Sequence, residues 1–234
     1  MPSKHCHTLE PSFIFQHGWG FSDTCWQGWT KGLSASFLLG NRGYWGAPNP
    51  IDCDRIGSGF VLICHSLGLH FLPPRLVSQA GLLVVISGFA HFHGQNPVDG
   101  RFSRKHIQKM RSRLSVDPIG LLIDFYRDCN CPDWPIDEKT MDMTRLAQDL
   151  ILLDQNRIDV TKLQGVPAVL LLHGRDDRIV KLERAEELAR IVGKAQLVVI
   201  DGAGHGLPFT HPQVCLNLVN DFCLANRQEI EIRS

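Results

Sequence analysis

Short runs rich in Val, Ile, Leu and Phe recur along the chain at 12–16, 35–39, 60–64, 82–87, 168–173 and 196–201. Most are continuous rather than alternating and are bounded by Gly, Pro or Asp, the pattern of strands buried on both faces. The stretches on either side of the last run have a different period. Residues 182–192 put Leu182, Ala185, Leu188 and Ala189 on one side of a helix, and 213–225 repeat the pattern. Strands alternating with helices form parallel crossover units, so the expected class is α/β: a mainly parallel sheet of about six strands flanked by helices.

The interval between the fourth and fifth runs breaks this rhythm. It is too long for one crossover and too apolar for a disordered linker, so it reads as an inserted helical cap, or lid. The expected division is a core of residues 1–88 and 160–234 and a cap of residues 89–159. Within the cap, helices are predicted at 103–114, at 117–129 with Asp117 as N-cap and Pro118 in the first turn, and at 139–154. A Cys-Pro-Asp-Trp-Pro break occupies 131–135, and Pro73-Pro74 interrupts the helix after the third run.

Composition narrows the function classes. Lys plus Arg (24) balance Asp plus Glu (24), so net charge gives no argument for nucleic acid or a membrane surface, and any electrostatic partner site must be local. The longest uninterrupted apolar runs, such as 82–86 and 168–172, are five residues, far below the ~20 that cross a bilayer. No apolar core of secretory length precedes His17, which makes the cytoplasm the expected compartment. There the eight cysteines are expected as free thiols. Cys129 and Cys131 are one residue apart rather than two, and no second pair has ligand spacing. His5-Cys6-His7 and His91-Phe92-His93 read as a terminal segment and as lid packing, so no metal is expected.

Four loops after predicted strands carry the chemistry. Cys64-His65-Ser66-Leu67-Gly68 fits the nucleophile elbow G-x-S-x-G except that Cys64 stands in the place of the first glycine. That turn is tight and strained, needs small neighbours, and exposes the serine hydroxyl above the sheet. Taken alone, Ser66 could equally cap an ordinary helix. After the first strand, the glycines of His17-Gly18-Trp19-Gly20 let the backbone turn so that the Trp19 and Leu67 N–H groups could hold the oxygen of a tetrahedral intermediate. His17 itself is expected as a buried, hydrogen-bonded loop residue rather than a base. After the fifth strand comes His173-Gly174-Arg175-Asp176-Asp177, whose spacing favours Asp177 as an orienting acid and Asp176 as a turn residue. Last, Asp201-Gly202-Ala203-Gly204-His205-Gly206 can place His205 over the serine.

The order Ser, Asp, His at successive strand ends resembles the α/β-hydrolase superfamily, and more closely the pimeloyl-acyl-carrier-protein methyl ester esterases of biotin synthesis, in a short variant. The resemblance rests on His17-Gly18-Trp19-Gly20 with Trp26, on His65-Ser66-Leu67-Gly68, on His173-Gly174 with Asp177, and on Gly204-His205 followed by Pro208 and His211-Pro212. It covers the core strands well and the cap poorly. Asn41-Arg42-Gly43-Tyr44-Trp45-Gly46 stands where many relatives carry Asp-x-x-Gly-x-Gly.

The resemblance implies an α/β-hydrolase fold and a cofactor-free carboxylic ester hydrolase with Ser66, Asp177 and His205 as catalytic residues and Trp19 and Leu67 as the oxyanion hole. It also implies an acyl carrier protein bearing a methyl-pimeloyl chain as partner, with release of methanol. Arg101, Arg104, Lys105, Lys109, Arg111 and Arg113 form a local basic stretch with no acid among them, suited to an acidic carrier. A solvated helix face explains the same stretch without a partner. Phe89, Phe92, Leu121, Leu122, Phe125 and Tyr126 either line an acyl tunnel or pack the cap onto the core. A monomer is the expected state. The alternatives are a general carboxylesterase or thioesterase acting on small acyl substrates and, from another class, a catalytically inactive hydrolase fold used as a binding module.

Overall fold

The structure, a computed structural model, describes residues 12–31, 33–159 and 161–231. Six strands form one sheet: β1 (Phe13–Gln16), β2 (Phe37–Gly40), β3 (Val61–His65), β4 (Leu82–Ile86), β5 (Ala168–Gly174) and β6 (Ala195–Ile200). Their order is β2-β1-β3-β4-β5-β6 and every pair is parallel. The helices are α1 (Gln27–Thr30), α2 (Gly68–Phe71), α3 (Pro74–Gln79), α4 (Pro97–Leu114), α5 (Pro118–Asp128), α6 (Met143–Gln155), α7 (Thr161–Gln164), α8 (Leu182–Val192), α9 (Leu207–Thr210), α10 (Pro212–Ala225) and α11 (Arg227–Glu231).

The inner strands β1, β3, β4 and β5 are largely apolar because helices cover both faces, whereas the edge strands β2 and β6 are only partly buried. Leu62, Cys64, Leu83, Val85, Val169 and Leu171 pack on one side with Leu69 of α2, Leu76 of α3 and Leu188 of α8. Their neighbours Val61, Ile63, Val84, Ile86, Leu170 and Leu172 pack on the other with Trp29 of α1, Leu207 of α9 and Val219 of α10. This is the period of two that a pleated strand imposes. Each aliphatic side chain so buried contributes roughly 1.5–3 kcal/mol.

Helices α4, α5 and α6 stand between β4 and β5 and build a third apolar cluster. Ile107, Leu122, Tyr126, Leu146 and Leu150 meet Trp19, Phe21 and Leu67 there, so these helices sit on the loops that leave the ends of β1 and β3. The chain moves from β1 outward to β2 and returns to pair β3 on the other side of β1. Such a switch in strand order opens a crevice at the carboxyl ends, where ligands of parallel sheets bind.

Two helix starts differ from those the apolar period predicts. Helix α4 begins at Pro97 rather than 103, because the Asn96 side chain accepts the Val98 N–H at 2.9 Å and Pro97 suits the first turn. Helix α6 begins at Met143 rather than 139: the Asp142 carboxylate accepts the Arg145 N–H at 2.9 Å. In both cases a capping side chain ends the loop. The residues before Asp142 form a turn in which the Asp137 carboxylate accepts Thr140 Oγ1–H.

Among the described residues no helix is long and apolar enough to cross a membrane, and no group of three His, Cys, Asp or Glu is placed to hold a metal. His5-Cys6-His7 lie outside the described residues. Cys25, Cys53, Cys64, Cys129, Cys131, Cys215 and Cys223 are free thiols.

Candidate active site

Strand β3 ends at His65, and the next residue turns sharply into α2 with φ of 53° at Ser66. A left-handed backbone at a residue with a Cβ costs on the order of 1–3 kcal/mol. It is held by the Ser66 N–H, which donates to the Ile86 carbonyl of β4 at 2.8 Å. Gly68 is required here because a Cβ on it would lie 2.6 Å from the Gln16 carbonyl oxygen. Cys64 needs no such exception. Its side chain lies fully buried in the apolar cluster beside Leu69 and Leu76, and burial pushes its thiol well up from the ordinary value. A glycine is therefore not demanded by packing at that point of the elbow.

Three loops converge above the sheet. His205 Nε2 is 3.0 Å from Ser66 Oγ, and His205 Nδ1 is 2.8 Å from Asp177 Oδ2. The Asp177 carboxylate is fully buried; its other oxygen accepts the N–H groups of Ile179 and Val180, each at 2.8 Å. Burial by itself would raise this carboxyl, but the His205 ring, His173 and the Val180 N–H together hold it below the ordinary carboxylate value. An ionised Asp177 accepts a hydrogen bond from His205 Nδ1–H and so fixes the proton on Nδ1, which leaves Nε2 as an acceptor for the serine hydroxyl. Asp176 is exposed and gives its N–H to the Ala203 carbonyl, a turn contact between the two loops.

Two further histidines position these groups, and the strand-end spacing of the sequence does not single them out. His65 Nε2 contacts the His205 carbonyl oxygen at 3.0 Å, where it donates, and burial lowers its pKa to about 3, so it stays neutral. His173 Nε2 donates to the Val180 carbonyl at 2.9 Å and is likewise kept neutral by burial. Both end buried strands, so the signal was a polar residue closing an apolar run. The His205 loop is also tied to α5, since Gly206 N–H donates to the Cys129 carbonyl at 3.0 Å.

Trp19 and Leu67 line the same cavity as Ser66, and among the described residues no backbone carbonyl receives the N–H of either. The cavity has a volume of about 340 Å³. Its walls are mostly apolar, from Phe92, Phe102, Ile107, Met110, Phe125 and Leu153, with Arg178, Lys181 and Arg184 also on the lining. Of the candidate tunnel residues, Phe92 and Phe125 line it, while Phe89, Leu121, Leu122 and Tyr126 belong to the apolar cluster under α4–α6.

None of the six basic residues of the α4 stretch lines the cavity. Arg101, Arg104, Lys105, Lys109 and Arg111 are exposed on α4, whereas Arg113 is engaged by Asp117 and Asp124. His93 hydrogen-bonds to Ser103 Oγ and to Asp154, which accounts for both of its ring nitrogens.

With this geometry in place, the comparisons with known proteins give a family. The sequence profile of the alpha/beta hydrolase family matches residues 13–218. The chain belongs to that family. A 2-hydroxy-6-oxo-2,4-heptadienoate hydrolase from Pseudomonas putida is 39% identical over 56 residues, a stretch that covers 24% of this chain and only 20% of that protein. Among solved structures, the esterase EaEST from Exiguobacterium antarcticum superposes with a TM-score of 0.74 at 14% identity, over 92% of each chain. A bromoperoxidase from Bacillus anthracis gives a TM-score of 0.71 at 16% identity, also over 92% of each chain. At such identities these likenesses establish the shared α/β-hydrolase fold.

Proposed function

We propose that this α/β hydrolase is a serine esterase that cleaves carboxylic esters through an acyl-serine intermediate, and that its substrate is the methyl ester of a pimeloyl chain carried by acyl carrier protein. One observation carries the chemical part: the unbroken chain of hydrogen bonds from Ser66 Oγ through the His205 ring to a fully buried Asp177, facing a cavity. In the proposed cycle the Ser66 proton passes to His205 Nε2 as Oγ attacks the ester carbonyl carbon. The oxygen of the tetrahedral intermediate takes hydrogen bonds from the Trp19 and Leu67 N–H groups, each worth roughly 10²–10³ in rate. The carbon–oxygen bond to the alcohol then breaks, and His205 returns its proton to the departing alkoxide. Water, deprotonated by His205, attacks the acyl-serine and releases the acid and free Ser66.

The substrate reading draws on the shape and charge of the cleft. A mostly apolar cavity of about 340 Å³ accommodates a medium-length acyl chain. Of the cations on its lining, Lys181 is paired with Asp99, also on the lining, and Arg184 with Glu187, so Arg178 adds the net positive charge. The exposed cations of α4 extend that charge over the outer surface of residues 89–159, the segment we assign as cap. An acidic carrier that delivers its chain on a phosphopantetheine arm is suited to both features.

The test compares turnover of methyl-pimeloyl carrier protein with that of short p-nitrophenyl esters, and adds covalent labelling by a fluorophosphonate probe. Labelling that disappears in Ser66→Ala, with the carrier ester preferred, supports the proposal. Labelling with a preference for free short esters leaves a general esterase, and absence of labelling overturns the serine mechanism. Rescue of a biotin-requiring strain that lacks its methyl ester esterase tests the physiological reaction directly.

A further inference from the structure

Trp19 lines the Ser66 cavity, and because the Gly18–Trp19 peptide is planar and trans, its N–H and the Gly18 carbonyl point in opposite directions in one plane. That carbonyl accepts a hydrogen bond from His17 Nδ1 at 2.8 Å. The ring's other nitrogen, Nε2, accepts the backbone N–H of Arg42 at 2.9 Å, which settles the tautomer. Arg42 in turn is clamped by α6: its guanidinium makes two hydrogen bonds of 2.7 Å to the carboxylate of Asp149, which also receives the Tyr44 hydroxyl at 2.6 Å. Asp149 is 1% exposed and His17 is fully buried. One turn earlier in α6, the Leu146 carbonyl accepts the Trp19 indole N–H at 2.9 Å.

We infer that Asp149, Arg42 and His17 form a positioning relay from α6 to the oxyanion donor, holding the plane of the Gly18–Trp19 peptide and strengthening its N–H as a donor. The inference rests on the serine-esterase reading, in which the Trp19 N–H serves as that donor. Its physical basis is direct. A peptide is rigid, so a hydrogen bond at its carbonyl fixes the direction of its N–H. A carbonyl that accepts a hydrogen bond also polarises the amide, and linked bonds reinforce one another in a buried site. His17 touches no reacting atom; it acts on the transition state through the amide of the next residue. The relay also makes the α4–α6 segment part of the chemistry, because its anchor Asp149 lies 107 positions along the chain from Arg42.

The experiment uses the full chain with His17→Phe, His17→Asn and Asp149→Asn, each normalised to active sites by fluorophosphonate titration. The probes are a p-nitrophenyl ester and an alkyl boronic acid, whose serine adduct mimics the tetrahedral intermediate. His17→Phe removes the donor, and kcat is expected to fall about 10–100-fold with KM within about threefold, less than the loss of a whole oxyanion donor. Boronate affinity should fall by a similar factor. His17→Asn places an amide N–H near the former Nδ1 and should recover most of the loss. Asp149→Asn weakens the Arg42 clamp and should lower kcat about tenfold. Wild-type kcat and boronate affinity in His17→Phe, or equal defects in the Phe and Asn variants, would overturn the relay. If His17→Phe fails to fold, the Asn and Asp149 variants still decide the matter. Failure of the underlying esterase reading has a separate signature: the parent chain would take no fluorophosphonate label, or Ser66→Ala would retain hydrolysis and labelling.

Discussion

The carboxylate of Asp177 meets His205 Nδ1 at 2.8 Å and is fully shielded from water, with its second oxygen tied to two backbone N–H groups. Replacing Asp177 with Asn keeps the shape but invites the wrong imidazole tautomer. The expected result is a fall in kcat of up to roughly 10⁴ with the fold retained, as a triad aspartate-to-asparagine change produces. Steady-state kinetics beside circular dichroism checks both halves. A kcat within tenfold of the parent would remove Asp177 from the mechanism.

Burial lowers the pKa of His17 to about 4, of His65 to about 3 and of His70 to about 4. In the unfolded chain these rings titrate near 6.5, so between about pH 6.5 and pH 4 the unfolded state binds more protons than the folded one. Stability therefore falls as pH drops through that window, by about 1.4 kcal/mol per pH unit for each such ring once its unfolded form is charged. Asp177, held low in the fold, adds its own loss only below about pH 4. Urea midpoints from pH 7 to pH 4.5 should decline steadily; a flat profile would contradict neutral burial of these rings.

Gly68 and Cys64 flank Ser66 in the elbow but answer to different constraints. Gly68→Ala forces a Cβ to within 2.6 Å of the Gln16 carbonyl oxygen, so the turn must open. A loss of about 1–3 kcal/mol and of most activity is expected. Cys64→Ala removes only a buried sulfur atom and should cost about 1 kcal/mol with activity kept. Denaturant midpoints and turnover of both variants test the contrast.

Met110 and Phe102 line the apolar part of the cavity. Met110→Trp should shorten the space available to the acyl chain, lowering kcat/KM for pimeloyl-length esters at least about tenfold while sparing acetate. A chain-length series of p-nitrophenyl esters reads this out. Equal loss at every length would show that the cavity does not hold the acyl group.

Arg104 and Arg111 are exposed on α4, outside the cavity. Exchanging both for Gln should raise KM for a carrier-linked ester several-fold, with a weaker salt dependence, and leave free methyl esters unchanged. A KM for the carrier substrate equal to that of the parent would assign the basic stretch to a solvated helix face.

Much of the fold was legible because the central strands are buried on both faces. Continuous apolar runs marked all six, and Leu182–Val192 showed its helical period undisturbed. The starts of α4 and α6 were not, since Asn96 and Asp142 cap them through local polar contacts that an apolar pattern does not register. Ser66, Asp177 and His205 stood out through the glycines that their tight loops require, and each lies in the loop that follows a strand. The sequence alone thus determined the sheet, its parallel class and the residues presented at its carboxyl end, because these depend on short-range periodicity and backbone sterics. Only tertiary structure decided that His65 holds the His205 loop, that α6 clamps Arg42 through Asp149, and that the cavity is walled by α4 and α5. Those contacts join residues far apart in the chain, and their partners are chosen by packing geometry, which no local pattern of residues encodes.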